Sequence, residues 1–295
     1  MREYCEFTLK RILVATDFSD LSHGALKYAK QLARYFSAKI LLVHVLDGEQ
    51  GMGSVPDRID AAETELQQMA STLSYDDVRC AVIARAGGIR ETILDLIRER
   101  DADLLVVGTR GKGRKSGESL GSVAEMLLRA APCPVLTVGK NAHSDSYENT
   151  HAHSVLFPTD FSAASLAALT YAECLTTHLQ GTLILLQVDE KDAHRPQQSD
   201  HEDELKSLVK EMKTPAIKSE CITRAGQPAD VIVSVSAERR VDFIVIGVHG
   251  AGQEGSVRNY GTAYDVIRLA RCPVFTLFSS QKDVHRSGWT RTVSC

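Results

Sequence analysis

The chain reads as one unit written twice. Ile12-Leu-Val-Ala-Thr-Asp-Phe-Ser19 aligns with Val155-Leu-Phe-Pro-Thr-Asp-Phe-Ser162, and the match continues through Ser22/Ser165, Ala25-Leu26/Ala168-Leu169 and Tyr28-Ala29/Tyr171-Ala172. Farther on, Arg85-Ala-Gly87 matches Arg224-Ala-Gly226, Asp103 to Gly108 matches Asp242 to Gly247, and Pro134-Val135 matches Pro273-Val274. The order is preserved throughout, which marks a tandem duplication of about 140 residues. The 295 residues are therefore enough for two domains of ordinary size.

Each copy alternates β-type runs with amphipathic helical stretches. In the first copy the pattern predicts strands near 11–16, 39–46, 78–85, 103–108 and 134–138, with helices near 20–36, 57–73, 88–100 and 119–130. Over 20–36, Leu21, Ala25, Leu26, Ala29, Leu32 and Ala33 recur at helical spacing, with Lys27, Lys30 and Arg34 elsewhere. The strands are near-continuous Val/Ile/Leu runs, as expected when helices cover both faces of a parallel sheet. Alternating β and α implies right-handed crossovers and a doubly wound α/β sheet. The expected division is a first domain over 1–140, a polar linker over 141–153, a second domain over 154–280 and a tail over 281–295.

Bulk properties exclude several classes. A hydrophobic fraction of 43% and a charged fraction of 24% are ordinary for a globular protein. A net charge of −4 gives no electrostatic pointer to nucleic acid or to an anionic membrane. The longest apolar runs are strand-sized, far from the roughly 20 residues a membrane span needs. The N-terminal segment Met1 to Phe7 lacks the apolar core of a signal peptide, so a cytoplasmic location is expected. Seven scattered cysteines show no metal-ligand spacing and read as reduced structural thiols. His143, His151 and His153 in the linker read as exposed residues rather than as a metal site.

The segment from Gly108 to Ser122, G-T-R-G-K-G-R-K-S-G-E-S-L-G-S, follows the apolar run ending at Val107. Its spacing is Gly, two residues, Gly, nine residues, Gly-Ser, with a helical stretch starting at the final pair. Glycines permit sharp turns and close backbone approach. A helix N-terminus offers free N–H groups and the positive end of the dipole to an anion. The segment therefore reads as a phosphate cradle at the carboxyl end of a strand, where open α/β sheets bind ligands. Lys112, Arg114 and Lys115 add local positive charge. Ala15-Thr16-Asp17 lies on the loop after the first strand, and Asp17 is also placed to cap the helix that begins near Ser19.

The chain resembles the universal stress protein family in both halves. The supporting segments are Val14-Ala-Thr-Asp-Phe-Ser19, Val43-His-Val45, Val106-Val-Gly-Thr-Arg-Gly111, Gly121-Ser-Val-Ala124 and Ala131-Pro-Cys-Pro-Val135. The resemblance implies two tandem Rossmann-like domains, each with a five-stranded parallel sheet of order 3-2-1-4-5, which sets strands one and four side by side. It also implies an ATP site, since the family's ATP-binding branch uses the same glycine spacing. On that basis Asp17, after Ala15 and Thr16, would accept from the ribose hydroxyls or the adenine edge. Val45 would line the adenine pocket, and Gly108 and Gly111 would let the loop pass under sugar and phosphates. Arg110 would either reach the nucleotide or stay in solvent. Gly121, Ser122, Val123 and Ala124 would give phosphate oxygens their N–H groups. Packing of the two halves through their last strands as an internal pseudo-dimer is a further implication, with homodimerisation as an option.

The second copy departs from this pattern. Ten residues separate Gly250 from Gly261-Thr262, so Tyr260 falls opposite Gly121, or a gap shifts the helix start by one residue. Glu254 stands where the first copy is basic. Domain 2 is therefore expected to bind ATP weakly or not at all.

The leading expectation is an ATP-binding stress-response or signalling protein, with Mg²⁺ as the accompanying ion and protein partners unspecified. The alternatives are a slow ATPase of the same fold and a nucleotide-free scaffold. The lysine of a G-x4-G-K-S/T loop is missing, and the sequence assigns no catalytic residue.

Overall fold

In a computed structural model, residues 9–48, 54–74, 77–111, 120–142, 153–189, 198–214, 217–249 and 256–279 are described. The chain divides into two units, one over Leu9–Lys140 and one from Asn141 onward. Most of the expected linker and the whole of the expected tail lie outside the described residues.

The first unit runs β1 (Arg11–Ala15), α1 (Asp20–Phe36), β2 (Lys39–Leu46), α2 (Val55–Ser74), β3 (Cys80–Ala86), α3 (Ile89–Glu99), β4 (Leu104–Gly108), α4 (Ser122–Ala130) and β5 (Val135–Val138). Its strands lie in the order β3-β2-β1-β4-β5, and every pairing is parallel. Ile12, Leu13 and Val14 of β1 are fully buried, as are Leu105 and Val106 of β4. This is the burial expected of central strands with helices on both faces. The register Leu13↔Leu105 and Ala15↔Val107 brings the carboxyl ends of β1 and β4 together.

The second unit repeats the scheme. It contains β6 (Ser154–Thr159), α5 (Ala163–Leu179), β7 (Thr182–Asp189), α6 (Gln198–Glu211), β8 (Lys218–Ala225), α7 (Pro228–Glu238), β9 (Phe243–His249), α8 (Ser256–Leu269) and β10 (Val274–Ser279). The strand order is β10-β9-β6-β7-β8, again all parallel, which is the same 3-2-1-4-5 arrangement.

The duplication extends to detail. Ser19 caps α1 by accepting from the Ser22 N–H, and Ser162 caps α5 by accepting from the Ser165 N–H. Each cap satisfies one of the orphan donors of the first helical turn. Asp103 accepts the N–H groups of Lys10 and Arg11 at 2.8 Å each, pinning the start of β1 to β4. Asp242 accepts the Ser154 N–H at 2.7 Å and faces His153 Nδ1 at 3.4 Å. Burial pushes the Asp242 carboxyl upward, and these two contacts oppose the shift.

Candidate functional site

The loop between β1 and α1 is held in a conformation that costs energy. Phe18 has φ of 61° and Phe161 has φ of 59°, left-handed values that are unusual for a bulky residue. Side chains over-determine it. Thr16 Oγ1 accepts the Phe18 N–H at 3.0 Å and lies 2.8 Å from the Ser22 hydroxyl. Asp17 Oδ1 accepts from both the Ser19 N–H (3.1 Å) and the Ser19 hydroxyl (2.6 Å). His44 Nδ1 approaches the Thr16 carbonyl oxygen at 2.8 Å, and its ring lies 4.4 Å from that of Phe18. The helix cap is thus Ser19, and Asp17 orders the turn that delivers it. One Asp17 oxygen does this work while the other is directed at Gly111, where an added Cβ would collide with Oδ2.

The loop after β4 returns to its own strand before α4 starts. The Gly121 N–H donates to the Thr109 carbonyl oxygen at 2.8 Å, and the first helical bond runs from the Glu125 N–H to the Gly121 carbonyl at 2.9 Å. The N–H groups of Ser122, Val123 and Ala124 therefore lie outside the repeating pattern of α4. No side chain caps this end. The helix begins at Ser122 rather than at 119, because Gly121 adopts an extended conformation (φ −64°, ψ 141°).

These two loops, together with the end of β2, enclose a cavity of about 390 Å³, within the size range of small-molecule sites. Ala15, Thr16, Asp17, Val45, Gly108, Arg110, Gly111, Gly121, Ser122, Val123 and Ala124 all border it. Lys112, Arg114 and Lys115 lie outside the described residues. Much of the wall is apolar, with Val43 and Val45 from β2, Ile89 and Ile93 from α3, Val107 from β4 and Leu127 from α4. The uncapped amides of α4 add a positive dipole end. The combination accommodates a flat apolar group and an anionic one.

One expected role needs correction. The Gly121 N–H is committed to Thr109, so it is not among the donors left for an anion. The value of glycine there is steric, since a Cβ would sit 3.0 Å from the Thr109 carbonyl oxygen. Gly108 has a packing role beside its place in the cavity wall. A Cβ at Gly108 would lie 3.2 Å from the backbone carbonyl carbon of Leu21, so the missing side chain admits α1 against β4. Gly247 meets the backbone of Ala164 and Ser165 in the same way, which explains why both copies keep a glycine there.

The equivalent cavity in the second unit measures about 120 Å³. It retains Thr159, Asp160, Ser165, Val188 and Gly247, but Pro158 and Pro228 replace Ala15 and Ile89 in its wall. The larger change is in the helix. Neither the expected intrusion of Tyr260 at a helix start nor a one-residue shift describes it. α8 begins at Ser256, so Gly261, Thr262 and Ala263 are interior helical residues. Inside a helix each N–H turns back to the carbonyl four residues earlier and is lost to a ligand. Gly261 also lacks the close approach of Gly121, for nothing lies within 4 Å of its Cβ position. Gly250 and Glu254 are outside the described residues.

Among the described residues no cluster of three or more His, Cys, Asp or Glu side chains is arranged to hold a metal ion. His143 and His151 are not described, and His153 is the partner of Asp242. Cys80, Cys133, Cys174, Cys221 and Cys272 are not in disulfides, and burial pushes Cys272 well above the ordinary thiol range. No described helix is long and apolar enough to cross a membrane.

Sequence reasoning missed Ser22, His44, Ile93 and Leu127. Their signal was present only as the copied Ser22/Ser165 pair, as His44 within the Val43-His-Val45 segment, and as apolar positions on helices, which look the same whether they face a core or a ligand.

Comparison with known proteins agrees with this architecture. The family model described as the universal stress protein family matches residues 8–139 and again 151–277. Universal stress protein Slr1230 of Synechocystis is 22% identical over 297 residues, spanning 91% of this chain and 99% of that protein. Universal stress protein MJ0531 of Methanocaldococcus jannaschii is 30% identical over 142 residues, covering 44% of this chain and 82% of its own length. The crystal structure of a universal stress protein from Archaeoglobus fulgidus matches with a TM-score of 0.75 at 23% identity, over 93% of this chain and all of that one. With the family model matching in both halves, and the same sheet order in each, the chain belongs to the universal stress protein family.

Proposed function

We propose that the first domain binds an adenine nucleotide, ATP, and that the chain is a nucleotide-dependent stress-response or signalling protein whose second domain is weak or silent. The observation that carries this reading is the difference between the two helix starts. α4 leaves three amides facing a cavity of about 390 Å³, whereas α8 runs through the equivalent position beside a cavity of about 120 Å³. The apolar wall of Val45, Ile89 and Ile93 suits a purine ring. Asp17 Oδ2 suits a ribose hydroxyl, and the α4 amides suit phosphate. Mg²⁺ would enter with the phosphates. Binding confined to the folded state stabilises it by about 2.7 kcal/mol at a hundredfold excess of ligand over Kd. Occupancy would thus be read as domain stability.

Denaturing the purified full chain and quantifying released nucleotide, followed by calorimetric titration of the refolded, nucleotide-free protein, tests the proposal. About one adenine nucleotide per chain is the expected stoichiometry. Two sites of equal affinity would overturn the silence of domain 2, and no release and no uptake would overturn the nucleotide reading.

A further inference from the structure

Arg110 is half-buried in the wall of the domain-1 cavity, and among the described residues no carboxylate pairs with it. Other arginines of the same domain are differently placed. Arg85 reaches Glu99 at 2.8 Å, Arg98 reaches Asp95 at 3.2 Å, and Arg129 reaches Glu125 at 2.8 Å. Two carboxylates of the neighbouring elements have contacts of their own. Asp17 Oδ1 holds Ser19, and Glu125, in the first turn of α4, is bound by Arg129. A guanidinium partly removed from water without an anion is unfavourable until an anion arrives.

The backbone fixes where that charge is needed. The Gly121-to-Thr109 hydrogen bond draws the loop onto the start of α4, and a Cβ on Gly121 would fall 3.4 Å from the Arg110 Cα. The guanidinium therefore springs from the same end of the cavity as the free amides of Ser122, Val123 and Ala124. Those amides converge on one helix terminus, and a single phosphate group satisfies them. The planar fork of Arg110 matches a second anionic group bidentately.

Resting on the nucleotide reading above, we propose that Arg110 makes the site selective for phosphate number, favouring nucleoside di- and triphosphates over nucleoside monophosphates and cyclic monophosphates. A ligand with one phosphate occupies the helix amides and leaves the guanidinium unpaired. A ligand with two or three satisfies both. Position 110 corresponds to His249 in the second copy, so this arrangement has not been duplicated.

Calorimetric titration of ATP, ADP, AMP and cyclic AMP into the full wild-type chain, Arg110→Met and Arg110→Lys tests this. Wild type is expected to bind ATP and ADP more tightly than AMP and cyclic AMP by roughly tenfold or more. In Arg110→Met the gap should close because ATP and ADP weaken far more than the monophosphates. Arg110→Lys, a point charge without the fork, should fall between. Equal weakening of all four ligands, or an unchanged preference, would overturn the assignment while leaving nucleotide binding intact. Failure of wild type to bind any of the four removes the nucleotide reading itself, and this inference with it. Matched thermal unfolding of the unliganded proteins separates a binding defect from misfolding, and Arg110→Lys decides the question if the methionine variant does not fold.

Discussion

Gly121 gives its backbone N–H to the Thr109 carbonyl oxygen at 2.8 Å, and the same carbonyl is the atom a Cβ on Gly121 would strike, at 3.0 Å. The bond that closes the loop and the reason for glycine are thus one contact. Gly121→Ala keeps a permitted backbone conformation but must push Thr109 and Gly121 apart. Overpacking of this kind costs about 1–3 kcal/mol. The expected result is a loss of ATP affinity on the order of tenfold, with Gly121→Tyr, the residue of the second copy, abolishing binding. Titration with ATP, beside the unfolding curve of the unliganded protein, reads both.

A substitution at Gly108 should act on folding before it acts on binding. Its Cβ position lies 3.2–3.3 Å from backbone and side-chain atoms of Leu21, so Gly108→Ala must displace α1 from β4. Destabilisation of about 1–3 kcal/mol is expected, visible as a lower urea midpoint without ligand. A variant with unchanged stability and lost ATP binding would show instead that this glycine serves the ligand directly.

Glu173 supplies a pH-dependent prediction. It is buried on α5, 2% exposed, and accepts the Thr214 N–H at 3.1 Å. Burial raises its carboxyl above the ordinary 4.5, and the hydrogen bonds and Lys213 only oppose that shift. A raised acid binds its proton more tightly in the folded state. Its contribution to stability is complete below the unfolded value and declines as pH rises through the folded value. Glu173→Gln keeps a carbonyl acceptor for Thr214 and carries no charge. Wild type should therefore gain stability relative to Glu173→Gln as pH falls from 7 toward about 4.5. Unfolding curves of the pair across that range check this, and a constant difference would count against it.

Much of this was legible before any coordinates, for physical reasons. The duplicated Thr-Asp-Phe-Ser segment fixed the loop after β1 and β6 because the hydroxyls of Thr16 and Ser22, and of Thr159 and Ser165, form the same bonds in both copies. Glycine spacing located the start of α4 to within three residues. It did not reveal what each glycine avoids, because Gly108 against α1 and Gly121 against Thr109 are tertiary approaches with no local sequence signature. The fate of α8 was also hidden. An unmatched insertion looks like a longer loop, whereas Ser256 to Tyr260 extend the helix and consume the amides that the alignment left free.

That extension makes the divergence of the two halves a ratchet. A single substitution at Tyr260 would not give the second copy the helix start of the first, because the turn of helix from Ser256 to Tyr260 must also unwind before Gly261 can become a terminus. Each intermediate on that route would give up helical hydrogen bonds without yet gaining a ligand. The two halves thus place different demands on sequence at this helix, while the left-handed phenylalanine of the first loop, Phe18 and Phe161, is common to both.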